Sequence, residues 1–282
     1  MDNNLQTMSS DIDNIVATFG SDESAFMELT GQASMPKSEG LSRLNINYDT
    51  ETEDGETLTR GDWKMMYHGE MVFAKEILIK PILRTFEWSI FDAEQGVFSS
   101  KSVQKPTMSG DFPDTEGGNK CGRLSQDEED KLKDDDPLKL KSRSAVCNQV
   151  LYSKVSGKFR KANGEEIEIS EHPAVAYFKR SGFLPIRNFI DSLTRQKKIM
   201  QKCWISLKTD KKKRGSVTYF VPVPTLSSET DILDEDKELM KKFAETVKAH
   251  NKSVLEQSRE STKLETNKSD ESLADDFNAV AV

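Results

Sequence analysis

Met71-Val-Phe-Ala-Lys-Glu-Ile-Leu-Ile-Lys-Pro-Ile-Leu-Arg-Thr-Phe-Glu-Trp-Ser-Ile-Phe91 is the longest strand signal in the chain. Phe86, Trp88 and Ile90 fall on one face and Thr85, Glu87 and Ser89 on the other, the period of a half-buried strand. Proline cannot donate to a ladder, so Lys80-Pro81 must sit at an edge, a bulge or a bend. Asp92-Ala-Glu-Gln-Gly96 then reads as a hairpin loop into Val97 to Val103. A long antiparallel strand with a break and a hairpin return points to a mainly β fold.

The flanking segments extend that reading. Leu44-Asn-Ile46-Asn-Tyr48 alternates like a strand, and Ala145 to Val155 does so again, with Val146, Asn148, Val150, Tyr152 and Lys154 on one face. Asn163-Gly164 marks a tight turn into Glu166-Ile-Glu-Ile-Ser170. Pro185 opens a helix whose apolar stripe is Ile186, Phe189, Ile190, Leu193 and Met200. Cys203-Trp-Ile-Ser-Leu207, a loop from Thr209 to Ser216, and Val217 to Val223 form a last hairpin. Residues 104–140 hold Pro106, Gly110, Pro113, Gly117 and Gly118, then Gln126 to Asp136 with seven acids in eleven residues, and read as a long inserted acidic loop.

The predicted organisation is a flexible acidic N-terminal arm over 1–40 and a core over 41–226. A charged helix and acidic disordered tail follow over 227–282, the helix capped by Asp231 and the tail starting at Ser261. The arm holds a short helical stripe between Asp11 and Leu29, interrupted at Gly20. Only 35% of the 282 residues are hydrophobic, and with 15 glycines the apolar share is roughly 40%, below the ~45–50% of an ordinary domain. One modest core with polar appendages accounts for that.

Charge is the most informative pattern. Residues 1–60 carry 3 basic and 12 acidic side chains, 61–140 carry 11 and 16, 141–220 carry 18 and 6, and 221–282 carry 8 and 14. The net charge of −8 therefore conceals a block of +12 between acidic flanks. Such a block suits a polyanion, with acidic flanks that compete for the same surface. Basic clusters recur at Lys158-Phe-Arg-Lys161, Lys179-Arg180 and Lys211-Lys-Lys-Arg214, the last beside strands carrying Trp204, Tyr219 and Phe220. Cations for phosphates and rings for unpaired bases are the combination that single-stranded nucleic acid needs. No helix-turn-helix, zinc-finger or basic-zipper pattern favours a duplex.

Other chemistries find little support. Cys121, Cys147 and Cys203 form no CxxC pair and only His68, His172 and His250 accompany them, so neither a metal nor another cofactor is expected. No phosphate-binding loop, dinucleotide fingerprint, metalloprotease helix or nucleophile elbow occurs, so no enzyme is expected. The opening Met-Asp-Asn-Asn-Leu-Gln has no basic and apolar leader pattern, and no apolar run reaches the ~18 residues of a membrane span. Three cysteines make no disulfide framework, which suits a reducing compartment.

Four stretches, Ile77 to Trp88, Gly117-Gly-Asn-Lys-Cys-Gly122, Val146 to Val155 and the hairpin through Tyr219, carry a resemblance. Together, from about Met71 to Leu226, they resemble the core of phage-encoded single-stranded DNA-binding proteins. The resemblance implies an OB-like antiparallel β-barrel with one or two helices, disordered termini, an acidic C-terminal tail and a place in the host cytoplasm. Its implied function is sequence-tolerant single-stranded DNA binding in replication or recombination. Phosphate contacts are expected from Lys158, Arg160, Lys161, Arg195, Lys211, Lys212, Lys213 and Arg214. Base stacking is expected from Trp88, Tyr152, Trp204 and Phe220. Asp275, Asp276 and Phe277 are the candidate tail for replication or recombination partners, although Asn278-Ala-Val-Ala-Val282 follows the phenylalanine that ends the bacterial pattern. The alternatives are a virion structural or scaffolding protein and a single-strand annealing factor, the latter requiring a homo-oligomer.

Overall fold

The computed structural model describes residues 41–52, 55–92, 97–116 and 122–278, with side chains in the last helix described through Thr262. The expected arm over 1–40 and the Gly117 to Cys121 part of the resemblance lie outside the described residues. The strands are β1 (Ser42–Ile46), β2 (Trp63–Tyr67), β3 (Glu70–Ala74), β4 (Ile77–Asp92), β5 (Val97–Lys101), β6 (Val146–Lys161), β7 (Glu166–Lys179), β8 (Cys203–Arg214) and β9 (Val217–Glu229). The helices are α1 (Gln126–Glu129), α2 (Pro137–Ser144), α3 (Phe183–Arg195) and α4 (Asp234–Asn278).

Five strands close into an OB-like barrel, as expected. β1 pairs with β2, β2 with β3, β3 with β6 and β6 with β7, all antiparallel. β1 and β7 complete the ring as a parallel pair, with Ser42, Arg43 and Leu44 opposite Ala174, Val175 and Ala176. β4 runs outside the ring along β6, carries β5 on its far end, and through Ile77–Ile79 joins the β8–β9 hairpin. Leu44, Trp63, Met65, Leu151, Phe159 and Ile205 fill the interior, and α3 contributes Ile186, Ile190 and Leu193 to the same core. Each such side chain fully withdrawn from water contributes about 1.5–3 kcal/mol.

The long strand signal splits at Lys75-Glu76 into β3 and β4, both of which pair along β6. Within β4 the register shifts between Pro81 and Leu83, so the proline that broke the pattern occupies a bulge. β2 gave no clear signal, because Trp63-Lys-Met-Met-Tyr67 does not alternate cleanly. The interval 104–140 differs from the expected loop. Phe112 and Asp114 are buried, the Asp114 carboxylate accepts from Lys141 at 3.0 Å, and the acidic run winds into α1 while Asp136 caps α2 through the Leu138 amide. The acids favour this because carboxylates at helix starts accept amide hydrogens.

The expected helix stripe of α3 stops at Arg195: Lys197 has φ +60° and Met200 belongs to a separate short turn. The C-terminal helix also departs from expectation. It starts at Asp234, with the Leu233 amide donating to Asp236 at 3.0 Å, so Asp231 does not cap it. Its backbone stays helical to Asn278, past the expected tail start at Ser261, over residues that include neither glycine nor proline.

α4 lies along the outer face of β4 and β6. Asp236, 1% exposed, accepts from Lys80 and Lys154, each at 2.7 Å, and both lysines are buried. Phe243 packs on the Tyr152 ring with centroids 5.3 Å apart, and the Asn251 amide clamps the Gln104 backbone, accepting at 2.6 Å and donating at 2.9 Å. Burial pushes the Asp236 carboxyl up, but hydrogen bonds from Lys154, Lys80 and the Leu233 amide outweigh it and hold it at about 2.

Candidate nucleic-acid interface

A cleft of about 350 Å³ opens between β1, β2, β7 and β9. Its floor is Trp63 and Phe178, whose rings meet edge to face with centroids 6.3 Å apart, and the Trp63 indole donates to the Leu207 carbonyl at 3.0 Å. Those two rings are structural. At the mouth stand Tyr48, 45% exposed, and Phe220, in an edge-to-face pair 5.7 Å apart. Phe220 can approach because position 61 is glycine: at φ +95° a Cβ would sit 2.5 Å from the ring. Lys64, Tyr177 and Lys179 also line the cleft, and Arg43 lies over the Tyr177 ring, 4.6 Å from its centroid. Burial and the neighbouring Arg180 and Arg43 hold the Lys179 ammonium below its ordinary range.

Beside the cleft the β8–β9 hairpin projects as a two-stranded arm. The expected loop from Thr209 is in fact strand: pairing runs on to Arg214 opposite Val217, and the turn is Gly215-Ser216 with Gly215 at φ +61°. Lysine and aspartate disfavour strands, but the facing Val217-Thr-Tyr-Phe220 supplies a strong strand partner. Antiparallel partners share a face. Lys211 and Lys213 are therefore on the side of Phe220 and Pro222, which line the cleft, while Lys212 and Arg214 point the other way with Asp210. Lys212 pairs with Asp210 at 2.6 Å, whereas Lys211, Lys213 and Arg214 have no carboxylate at ion-pair distance among the described residues.

The remaining expected residues scatter. Lys158 and Arg160 line a second cleft of about 640 Å³ at the β3–β4 bend, together with Lys75 and Glu76. Arg160 is committed there to Asp62 and Thr59, at 2.8 and 2.9 Å. Lys161 is turned onto Glu70 at 2.8 Å and Glu165 at 3.2 Å. Arg195 is exposed at the end of α3 and lines neither cleft. Trp88 packs against the Phe86, Phe112 and Phe183 cluster, and Trp204 is half-buried in β8. Tyr152 is not a stacking platform: it is 2% exposed under α4, its hydroxyl donates to Gln104 at 2.9 Å, and burial pushes that hydroxyl well above its usual range. Phe220 lines the cleft but is only 7% exposed, which leaves little of its ring open to a base. The side chains of Asp275, Asp276 and Phe277 lie outside the described residues.

Arg43, Tyr48, Tyr177 and Lys179 lie outside the expected set, although Lys179-Arg180 is one of the basic clusters of the sequence. Arg43 and Tyr48 are isolated in sequence and join the site only because β1 closes on β7, more than 130 positions away. Among the described residues no cluster of three metal-ligating side chains occurs, and no helix is long and apolar enough to cross a membrane. Cys147 and Cys203 are unpaired, and burial pushes the Cys147 thiol up to about 12. No protein-family model matches this chain, and neither curated proteins nor solved structures yield a significant match.

Proposed function

We propose that the chain is a non-enzymatic, sequence-tolerant single-stranded DNA-binding protein serving phage replication or recombination. The observation that supports this best is the junction of the 350 Å³ cleft with the arm: exposed Tyr48 and half-buried Tyr177 stand near Lys179 and Arg43, and Lys211 and Lys213 adjoin the cleft face without acidic partners. Rings stack on any base, and unmatched cations take phosphates whatever the sequence. The reading favours an unpaired strand over a duplex, because the exposed Tyr48 ring at the cleft can stack only on a base that is free of its pair.

The test is anisotropy of a labelled oligothymidine at about 50 and 200 mM salt. Releasing counterions from about four phosphates gives a slope near −3 in log K against log salt, from about −0.7 per contact. Loss of at least half that slope in the triple substitution Lys211→Gln, Lys213→Gln, Arg214→Gln would support the arm's part. No binding at the lower salt, or binding indifferent to salt, overturns the reading.

A further inference from the structure

Where β1, β5, β7 and α4 come together there is a smaller cavity of about 100 Å³, lined by Arg43, Lys101, Lys179 and His250 above a floor of Glu87 and Asn148. That is room for about three waters, which is the size of one tetrahedral oxyanion and too little for a nucleobase. Its charge is unbalanced. Arg43, Lys101 and Lys179 have no carboxylate at ion-pair distance among the described residues. Their close companions are rings: Arg43 over Tyr177 at 4.6 Å, Lys101 over Phe98 at 4.6 Å and Lys179 at 6.0 Å from the same Phe98. A ring orients a cation without neutralising it.

Glu87 does not restore the balance. One carboxylate oxygen accepts from Gln104 at 3.0 Å and the other from Asn148 at 3.2 Å, so both are turned into the sheet. Burial also pushes its carboxyl above the usual range, towards the neutral form. His250 stands 3.8 Å from that carboxylate, with its Nε2 donating to the Ser102 carbonyl at 3.1 Å. The cavity thus gathers three cations and an imidazole around a space that one dianion fits.

Position narrows the ligand further. Tyr177 and Lys179 line both this cavity and the 350 Å³ cleft, so the two adjoin along the end of β7. Strands β1, β4, β5, β6 and β7 and helix α4 all contribute to its lining, and its volume holds one phosphate group and no whole nucleotide. A phosphate inside a chain must enter and leave; one at a chain end needs only an entrance, and it carries close to two negative charges at neutral pH. We infer that this pocket takes the terminal phosphomonoester of a nucleic-acid strand lying in the adjoining cleft. The inference rests on the single-strand reading of that cleft.

The experiment compares three otherwise identical oligothymidines of about eight nucleotides, carrying a 5′-phosphate, a 3′-phosphate or neither, against the full chain and Lys101→Gln. One end-phosphorylated oligonucleotide is expected to bind about tenfold more tightly than the unphosphorylated one, the size of one or two charge-assisted contacts. Whichever end is preferred gives the strand's polarity. Lys101→Gln should erase the preference while leaving affinity for the unphosphorylated oligonucleotide within about twofold. Equal affinities for all three overturn the inference and leave the single-strand reading standing. If no oligonucleotide binds, both fall as stated. The anion site itself is then decided by titrating inorganic phosphate while following the His250 imidazole resonances. A shift lost in Lys101→Gln sustains a phosphate pocket, and no shift, or one that survives the substitution, removes it.

Discussion

Two sets of basic side chains on the same sheet have opposite fates. Lys80 and Lys154 point from β4 and β6 under α4, where Asp236 meets both at 2.7 Å and the three groups are nearly dry. Lys211, Lys213 and Arg214 point from the β8–β9 arm into water with nothing opposite them. Residue type and strand context are alike; what differs is whether a neighbour has already matched the charge. A buried charge must be compensated within the fold, so the first set holds a helix in place. An exposed and unmatched set costs the fold little and stays available to a polyanion.

The contrast can be broken most forcefully at Asp236. Asp236→Ala leaves the buried Lys80 ammonium without its carboxylate and Lys154 with Glu171 alone, and is expected to cost about 3 kcal/mol in denaturant unfolding, with α4 released from the sheet. Acid should do the same reversibly. The carboxyl is held at about 2 when folded, against about 3.9 unfolded, so its contribution is complete above pH 4 and disappears as the pH falls towards 2. Near-ultraviolet circular dichroism across that window reports it; a flat trace would show that α4 docking does not depend on the pair.

Gly61→Ala should follow, at about 2 kcal/mol, because the new methyl must displace Phe220 from a left-handed position. It should also weaken oligonucleotide binding at the cleft mouth. The triple arm substitution comes next: stability within about 0.5 kcal/mol of the parent, but about tenfold weaker binding at low salt. A stability loss as large as that of Asp236→Ala would mean the arm is structural and the contrast false. Truncation after Thr262, which removes a segment with 2 basic and 5 acidic residues, should tighten binding about twofold if those acids compete for the basic surface. Unchanged affinity would leave the segment passive.

How much of this was legible in sequence depends on whether the deciding partner is local. β4 was, since its period and its proline lie within one segment, and the proline became a bulge. The +12 block locates the basic stretch of the chain, yet sequence alone offers Tyr152 as a stacking ring. Alternation separates two faces without saying which is covered, and the cover is α4, nearly a hundred residues downstream. The basic arm was read as a loop because its strand character comes from the segment across the turn. Residues 104–140 read as loop because their prolines, their glycines and seven acids in eleven residues all argue against packing. Here Asp134 pairs with Lys139 and Glu129 meets Arg143 of the adjoining helix, while upstream Asp114 pairs with Lys141. The cleft residues Arg43 and Tyr48 carry no local signal at all, and their role arises from ring closure.

That closure has a kinetic side. β1 finds its parallel partner only when Ala174 to Ala176 are available, roughly 130 residues further along. At ~5–20 residues per second, a ribosome needs about ten seconds to make that stretch. During that interval the β1 edge presents its amides and carbonyls to solvent with no permanent neighbour, a standing invitation to pair with another nascent chain. Contacts this distant also slow the search in vitro. Refolding yield should therefore fall with protein concentration more steeply than the native charge of −8 suggests, and a chaperone that shields open strand edges would have its longest window of work on the first third of this chain.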